Sequence, residues 1–246
     1  MEWKQGYLDL TLAPLALLGN ILYHAWLCRK VRIQPYRTDI GVSSAGRRLW
    51  VYSMMKDNDK KNVLAVQTLR NAVMGATLLA TACVLICTGL AAVLSSASLS
   101  GAIRHVAKRV YGGRGETMLQ LKYTSVFLFF VSSFVFYSFA VHFFNQVGFL
   151  VNIVDGGDGP AALGTPDYVA SLLERGYLFK TVGNRVFYVG LQLLIWLFGP
   201  VLLFIASLVM IALLYVTDVI DAVWYPNPLG PTGASSRRTI IHEFNV

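Results

Sequence analysis

Residues 72–94, AVMGATLLATACVLICTGLAAVL, decide the fold class because these 23 consecutive residues carry no charge. A charge-free apolar stretch of about 18 or more residues can cross the hydrocarbon core of a bilayer as a helix. The whole chain of 246 residues has the same character, with 55% hydrophobic and only 14% charged residues. A typical soluble domain has roughly 25% charged residues. The composition therefore excludes a soluble globular protein and predicts an integral membrane protein.

Three further apolar stretches predict an all-α membrane protein built as a four-transmembrane-helix bundle. They cover residues 8–28, 123–144 and 186–217. The last holds 32 charge-free residues, which as a helix would be about 48 Å long against a hydrocarbon core of about 30 Å. We therefore expect it to tilt or bend, with the bend at Gly199-Pro200. We expect residues 1–221 to form the membrane domain and residues 222–246, which contain Pro, Gly and Ser, to form a disordered tail.

The positions of lysine and arginine predict the orientation. The loops after spans one and three hold 13 of the 21 basic residues, and the other side of the membrane holds eight. Cytosolic loops are enriched in Lys and Arg, so this difference predicts that both termini are non-cytosolic. The sequence carries no signal that separates the plasma membrane from an endomembrane.

Most of the net charge of +8 lies in the first loop. We expect this loop to bind anionic lipid headgroups or a cytosolic partner, and no nucleic acid, because no nucleic-acid-binding module is present. The predicted lipid or partner surface consists of Arg47, Arg48, Lys56, Lys60 and Lys61.

Amphipathic cytosolic helices are predicted between spans one and two and between spans three and four. The first follows Gly46 and grows straight into span two, because no Gly or Pro occurs before Gly75. The second begins at Thr165-Pro166-Asp167, which has the residues of a helix N-terminus, and ends at Arg175-Gly176. A third, basic surface helix is predicted around residues 103–110 between spans two and three.

The run at residues 54–71, MMKDNDKKNVLAVQTLRN, resembles plant proteins of the "domain of unknown function 599" family. Shorter runs, YHAW at 23–26, TVGNR at 181–185 and FGP at 198–200, are similar to that family too. The resemblance covers essentially residues 1 to about 220. It implies a four-span integral membrane protein with no established activity.

Polar residues within the apolar stretches are costly to bury in lipid, so we treat them as candidate functional groups. Spans one and three run in the same direction and place their polar ends at one depth, where spans two and four begin. The candidate intramembrane polar cluster consists of Asn20, His24, Arg70, Asn71, His142, Asn145, Gln146, Asn184 and Arg185. Two structural explanations stay open, namely hydrogen bonds between helices and side chains that reach the headgroup region.

Two further patterns concern packing. Span two carries a helix-packing face of small residues, Ala72, Gly75, Ala76 and Ala80, which lets another helix approach closely. The segments TLRNAV at 68–73 and TVGNRV at 181–186 share Thr, Asn and Val, each directly before an outward-going span. This similarity indicates a possible parallel two-fold internal repeat.

These patterns leave two functions open. One is a channel or transporter-like protein of unknown substrate, with anions favoured by the basic layer. Four helices pack with a filled centre, so conduction would need a homo-oligomer, with the alanine face as a contact. The alternative is a non-transporting membrane adaptor that uses the basic first-loop helix. No catalytic, metal or cofactor motif occurs, so we expect neither an enzyme nor a bound cofactor.

Overall fold

The computed structural model describes residues 2–56, 58–98, 116–152 and 165–220. In these ranges the chain is helical, with one isolated β-bridge and no strand, which confirms the predicted all-α class. A short 3-10 helix at Pro35–Arg37 accompanies six helices: α1 Glu2–Ile33, α2 Asp39–Lys56, α3 Asn58–Ser98, α4 Glu116–Leu150, α5 Pro166–Trp196 and α6 Pro200–Asp218. The predicted surface helix at 103–110 and the predicted disordered tail at 222–246 lie outside the described residues.

Four helices contain segments long and apolar enough to cross a membrane, as predicted. These segments are Leu8–Ile33 in α1, Lys61–Ser95 in α3, Gln120–Leu150 in α4 and Pro200–Asp218 in α6. The chain is therefore a multi-pass membrane protein.

The tightest packing joins α4 and α5, which run antiparallel. Three glycines of α5, spaced seven residues apart, face three aromatic residues of α4 with the same spacing in reverse order. The pairs are Gly176 with Phe144, Gly183 with Tyr137, and Gly190 with Phe130. A Cβ atom on Gly176 would lie 2.8 Å from Cε1 of Phe144. The glycines therefore let large rings fill the space between the two helices.

The last apolar stretch differs from the predicted single bent span at 186–217. The chain breaks between Trp196 and Pro200, close to the predicted bend, but it reverses there. Asp218, at the end of α6, accepts a hydrogen bond from Arg185 in the middle of α5. Val219 pairs with Thr38 in the isolated β-bridge. The stretch is thus divided between two antiparallel helices, and the reversal brings Asp218 of α6 against Arg185 of α5.

The reversal adds α5 as a fifth helix alongside the four apolar ones. In the bundle, α3 packs on α4, α4 on α5, α5 on α6 and α6 on α1. We call the end of the bundle where Asp9 contacts Trp196 the Asp9 end, and the end where Asp218 contacts Tyr23 the Asp218 end. Asp9 and Tyr23 are 14 residues apart on α1, which is about 21 Å. The described chain thus begins and ends at opposite ends of the bundle, unlike the prediction of both termini on one side.

The loop helices also differ from prediction. The first does not run straight into span two, because Trp50 of α2 and Leu69 of α3 line the same pocket, so α2 lies alongside α3. In one continuous helix these two residues would be about 28 Å apart. Instead, α2 packs against the first turns of α5. The second predicted loop helix begins at Pro166 as predicted. It does not end at Gly176 but continues as α5 to Trp196. Gly176 is used for the close contact with α4 and the helix continues through it.

Candidate functional site

A buried ion pair closes the Asp9 end of the bundle. Lys122 of α4 donates to both carboxylate oxygens of Asp9, with Nζ–Oδ distances of 3.0 and 3.1 Å. The indole nitrogen of Trp196 donates to Asp9 Oδ1 at 2.9 Å. Asp9 and Lys122 are each 1% exposed. Three helices, α1, α4 and α5, are therefore held together here by a charge pair shielded from solvent.

A second buried group lies in the middle of α1. The amide nitrogen of Asn20 lies 2.8 Å from Oε1 of Gln192 on α5 and 2.9 Å from Oγ of Ser207 on α6. It also lies 2.9 Å from the carbonyl oxygen of Ala16, so its two hydrogens have three acceptors within reach. The hydroxyl of Ser207 donates to the same carbonyl at 3.2 Å. These are satisfied hydrogen bonds between helices.

A third group lies at the Asp218 end. Asp218 accepts hydrogen bonds from the hydroxyl of Tyr23, at 2.7 Å, and from Arg185. The second terminal nitrogen of Arg185, Nη1, is buried and has no partner among the described residues. His24 has one ring nitrogen, Nδ1, 2.7 Å from the carbonyl oxygen of Asn20. Its Nε2 is likewise buried, with no partner in the described part of the chain.

Beside this third group a cleft of about 710 Å³ opens between α2, α5 and α6. We call it the basic cleft because three cations line it, Arg47, Lys180 and Arg185. Two carboxylates, Asp39 and Asp218, line it as well. The remaining lining residues are Ile40, Ser43, Tyr177, Thr181, Asn184, Tyr188, Met210, Leu213, Leu214 and Thr217.

The three cations of the basic cleft differ in what neutralises them. Arg47 forms two hydrogen bonds with Glu174, at 2.8 and 3.1 Å, and its guanidinium lies 4.3 Å from the centre of the Tyr177 ring. Arg185 is paired with Asp218. Lys180 has no carboxylate within ion-pair distance among the described residues and lies 5.8 Å from the centre of the Tyr177 ring. Its charge is the one in the cleft that the described chain leaves uncompensated.

The predicted polar cluster divides into two parts. Four members face the protein interior but have different partners. Asn20 of α1 bonds to α5 and α6, and Arg185 of α5 bonds to Asp218 of α6. His24 bonds to the backbone of its own helix, and Asn184 accepts a hydrogen bond from Tyr137 of α4 at 2.8 Å. The other members point away from the helix contacts and are exposed or partly exposed, namely Arg70, Asn71, His142, Asn145 and Gln146. Packing sets this rotation, because α3 and α4 turn apolar and small residues toward the core.

The predicted helix-packing face is covered within the chain. Ala72 and Ala76 are buried in a cluster with Ala140 and Phe144 of α4. Ala80 packs half-buried against a second cluster, and a Cβ on Gly75 would lie 3.8 Å from Nζ of Lys180. This face is therefore occupied by the chain itself and is not free to join a second subunit.

The predicted basic surface is only partly a surface. Arg47 points into the protein, whereas Arg48 and Lys56 are exposed. Lys61 donates to Ser53, at 3.3 Å to its carbonyl and 3.2 Å to its hydroxyl. The side chain of Lys60 lies outside the described residues.

The two segments of the possible internal repeat lie in different surroundings. Thr181 and Asn184 line the basic cleft. Thr68 and Asn71 are exposed on α3. The element order differs too, because the second half contains α6, which has no counterpart among the described helices of the first. A two-fold repeat is therefore not visible in the packing.

Sequence reasoning missed several buried polar residues, among them Lys122, Gln192, Ser207 and Asp218, and the half-buried Lys180. A signal existed for some of them. Gln192 is the only amide side chain in the stretch 186–217. Asp9 and Lys122 carry opposite charges near the starts of two parallel spans. No comparable signal marks Lys180, whose position depends on the rotation of α5.

Metal coordination has no support in the described ranges, where no group of three or more His, Cys, Asp or Glu side chains could hold an ion. Comparison with known proteins gives one match. The model of a family described as "Protein of unknown function, DUF599" matches residues 11–223. No functionally curated protein and no solved structure matches the chain at a significant level.

Proposed function

The chain belongs to the DUF599 family, whose description states no function. We propose that it is a membrane carrier of an anionic ligand. The ligand binds in the basic cleft at the Asp218 end. The proposal assigns no catalysed reaction and no cofactor to the chain.

The observation that carries this proposal is the uncompensated positive charge in the basic cleft. Lys180 is half-buried without a carboxylate partner in the described chain, and Arg185 has a buried nitrogen that donates to no described group. Buried donors and charges without partners are costly, and proteins pair nearly all of them. An anion in the cleft would accept from both groups and remove that cost.

A carrier fits the packing better than a pore through one subunit. The α4 side chains that face α5, such as Val126, Phe130 and Tyr137, are fully buried, so the described centre of the bundle is filled. The Asp9 end is closed by the Asp9–Lys122 pair, whereas the Asp218 end is open at the basic cleft. An open site at one end and a closed opposite end are the properties of one state of an alternating-access cycle.

The same arrangement supports an orientation. With α6 reversed, Arg237 and Arg238 follow the Asp218 end, so this side holds 13 plus two, or 15, basic residues and the other holds eight minus two, or six. The larger difference makes the Asp218 end cytosolic by the positive-inside rule. We therefore propose that the N-terminus is non-cytosolic, that the C-terminus is cytosolic and that the basic cleft opens to the cytosol.

Uptake into proteoliposomes tests the carrier proposal. Purified protein is reconstituted, and the uptake of radiolabelled phosphate, sulfate, chloride and carboxylates is compared for the wild type, Lys180→Met and Arg70→Met. A charge-assisted hydrogen bond contributes about 1.5–3 kcal/mol, so we expect Lys180→Met to weaken uptake about tenfold or more. Arg70→Met removes an exposed charge outside the cleft and should have no effect. The carrier proposal is contradicted if the wild type neither takes up any of these anions nor moves an anionic phospholipid across the bilayer, or if the two variants have equal effects.

The second candidate, an adaptor, is favoured by the exposed cations Arg48 and Lys56 on α2. Charge reversal of both should then abolish capture of a cytosolic partner while leaving anion uptake unchanged. A pull-down that captures the same proteins with the wild type and the charge-reversed variant speaks against an adaptor.

The carrier proposal is stated for one subunit, because the alanine face that was expected to join a homo-oligomer is covered by α4.

A further inference from the structure

We infer that the ligand of the basic cleft is an anionic phospholipid from the leaflet at the Asp218 end. Its phosphate binds Lys180, and an acyl chain lies against Tyr188, Met210 and Leu213. This inference rests on the proposed binding of an anion in the cleft and names the chemical class of that anion.

The first support is the order of polar and apolar residues along the membrane normal. From Tyr177 to Tyr188, α5 advances 11 residues toward the Asp9 end. This distance of about 16 Å is close to half the thickness of a hydrocarbon core of about 30 Å. Lys180 and Arg47 lie near Tyr177, at the end of this segment that is farther from the bilayer centre. Because α6 runs antiparallel, Met210 lies eight residues above Asp218, or about 12 Å deeper in the membrane. The cleft therefore has Arg47 and Lys180 at the headgroup level, the Arg185–Asp218 ion pair deeper, and apolar residues such as Met210 toward the bilayer centre.

The second support is the continuity of the cleft with the lipid-facing surface. Leu213 lines the cleft and is 58% exposed. Val209 and Val216, on the same helix, are exposed as well. An acyl chain can therefore pass from the bilayer into the cleft without leaving apolar surroundings. A small water-soluble anion would use Lys180 but would leave the apolar wall of a 710 Å³ cleft unoccupied.

The third support comes from the acids of the cleft, which limit the charge of the headgroup. Asp218 is neutralised by Arg185 and accepts a hydrogen bond from Tyr23. Asp39 lies at the exposed first turn of α2, and its carboxylate accepts a hydrogen bond from Ser43. A second or third phosphate would meet the Asp39 carboxylate, since Lys180 is the only cation of the described cleft that lacks an acidic partner.

A headgroup with one phosphate and neutral hydroxyls fits this balance of charges, as in phosphatidylglycerol. Basic pockets between helices at the cytosolic side are an established way to bind anionic headgroups.

Native mass spectrometry of the full-length protein tests the inference. Protein in detergent micelles is titrated with dioleoyl-phosphatidylglycerol, dioleoyl-phosphatidylcholine, dioleoylglycerol and glycerol 3-phosphate. We expect one phosphatidylglycerol per chain, bound at least about tenfold more tightly than the other three. Lys180→Met should reduce this preference about tenfold, and Lys180→Arg should restore it. Met210→Trp, which fills the apolar wall, should weaken phosphatidylglycerol binding, whereas Leu208→Trp on the lipid-facing side of α6 should not.

The outcomes separate this inference from the carrier proposal. Binding of glycerol 3-phosphate as tight as that of phosphatidylglycerol would show a site for a soluble anion, which overturns the inference and leaves the carrier proposal standing. Equal binding of phosphatidylcholine, or no effect of Lys180→Met in protein that remains folded by circular dichroism, overturns it as well. Tight, Lys180-dependent phosphatidylglycerol binding without transbilayer movement of lipid or anion would support the inference and contradict the carrier.

Discussion

Lys122 of α4 donates hydrogen bonds to both carboxylate oxygens of Asp9 on α1, and both side chains are buried at the closed end of the bundle. This pair joins the first helix to the α4–α5 hairpin across 113 residues of sequence. The pair lies at the end of the bundle opposite the basic cleft. Any state that opens the Asp9 end must therefore break a buried ion pair.

Removing one member of this pair should be far more harmful than removing both. Asp9→Asn or Lys122→Met alone leaves a buried group without its charged partner, and we expect each to reduce the free energy of unfolding by about 3–5 kcal/mol. The double variant removes both charges, and the amide oxygen introduced by Asp9→Asn can still accept from Trp196, so its loss should be smaller than that of either single variant. Thermal unfolding in one detergent measures this. A double variant less stable than both singles would contradict the assignment.

The three glycines of α5 should respond to alanine in a graded way. A new Cβ would lie 2.8 Å from the Phe144 ring at Gly176, 3.1 Å from the Tyr137 ring at Gly183 and 3.3 Å from the Phe130 ring at Gly190. Overpacking a filled core costs about 1–3 kcal/mol. We expect the largest loss of stability for Gly176→Ala and the smallest for Gly190→Ala.

A matched control exists for this series on α3. A Cβ on Gly89 meets no atom within 4 Å, so Gly89→Ala should be neutral or slightly stabilising through higher helix propensity. Melting temperatures of all four variants are compared in the same detergent. Equal losses for the α5 variants and the Gly89 variant would show that the glycines do not serve the contact with α4.

Loss of the Asn20–Gln192 hydrogen bond should have a modest effect. Hydrogen bonds between membrane helices contribute about 0.6 kcal/mol on average, and Asn20 retains the Ala16 carbonyl and Ser207 as acceptors. We expect Gln192→Leu to reduce the free energy of unfolding by about 1 kcal/mol or less. A double-mutant cycle with Asn20→Leu gives the coupling energy. A coupling above about 2 kcal/mol would indicate a role beyond the measured range of such bonds.

The reversal at Gly199-Pro200 predicts the sidedness of three positions. In a variant without its three cysteines, single cysteines are placed at Arg48, Gln120 and Ile220 and treated in intact cells with a membrane-impermeant maleimide. Gln120 lies beside Lys122 at the Asp9 end, whereas Arg48 and Ile220 belong to the Asp218 end. We expect labelling of Gln120→Cys alone, and of the other two only after permeabilisation. Opposite labelling of Arg48→Cys and Ile220→Cys would contradict the reversal.

Much of the membrane architecture could be predicted from local sequence. The charge-free stretches around residues 72–94 and 123–144 give helices whatever their neighbours are, because a backbone in lipid must satisfy its own hydrogen bonds. The N-terminus of α5 could be predicted as well, because Thr165, Pro166 and Asp167 are residue types that favour the start of a helix at these positions. Asn20 and His24 are four residues apart and therefore share a helix face, so their proximity follows from the local sequence alone.

The sequence by itself determined that this chain is a multi-pass helical membrane protein with a basic, polar side. Only the tertiary structure decided that the last apolar stretch turns back, that Arg70 and His142 face outward, and that Lys180 is left without a carboxylate partner in the described chain. These features depend on how each helix is rotated about its axis. Rotation is set by side chains far apart in the sequence, such as Gly176 with Phe144 and Asp9 with Lys122, so no local pattern specifies it.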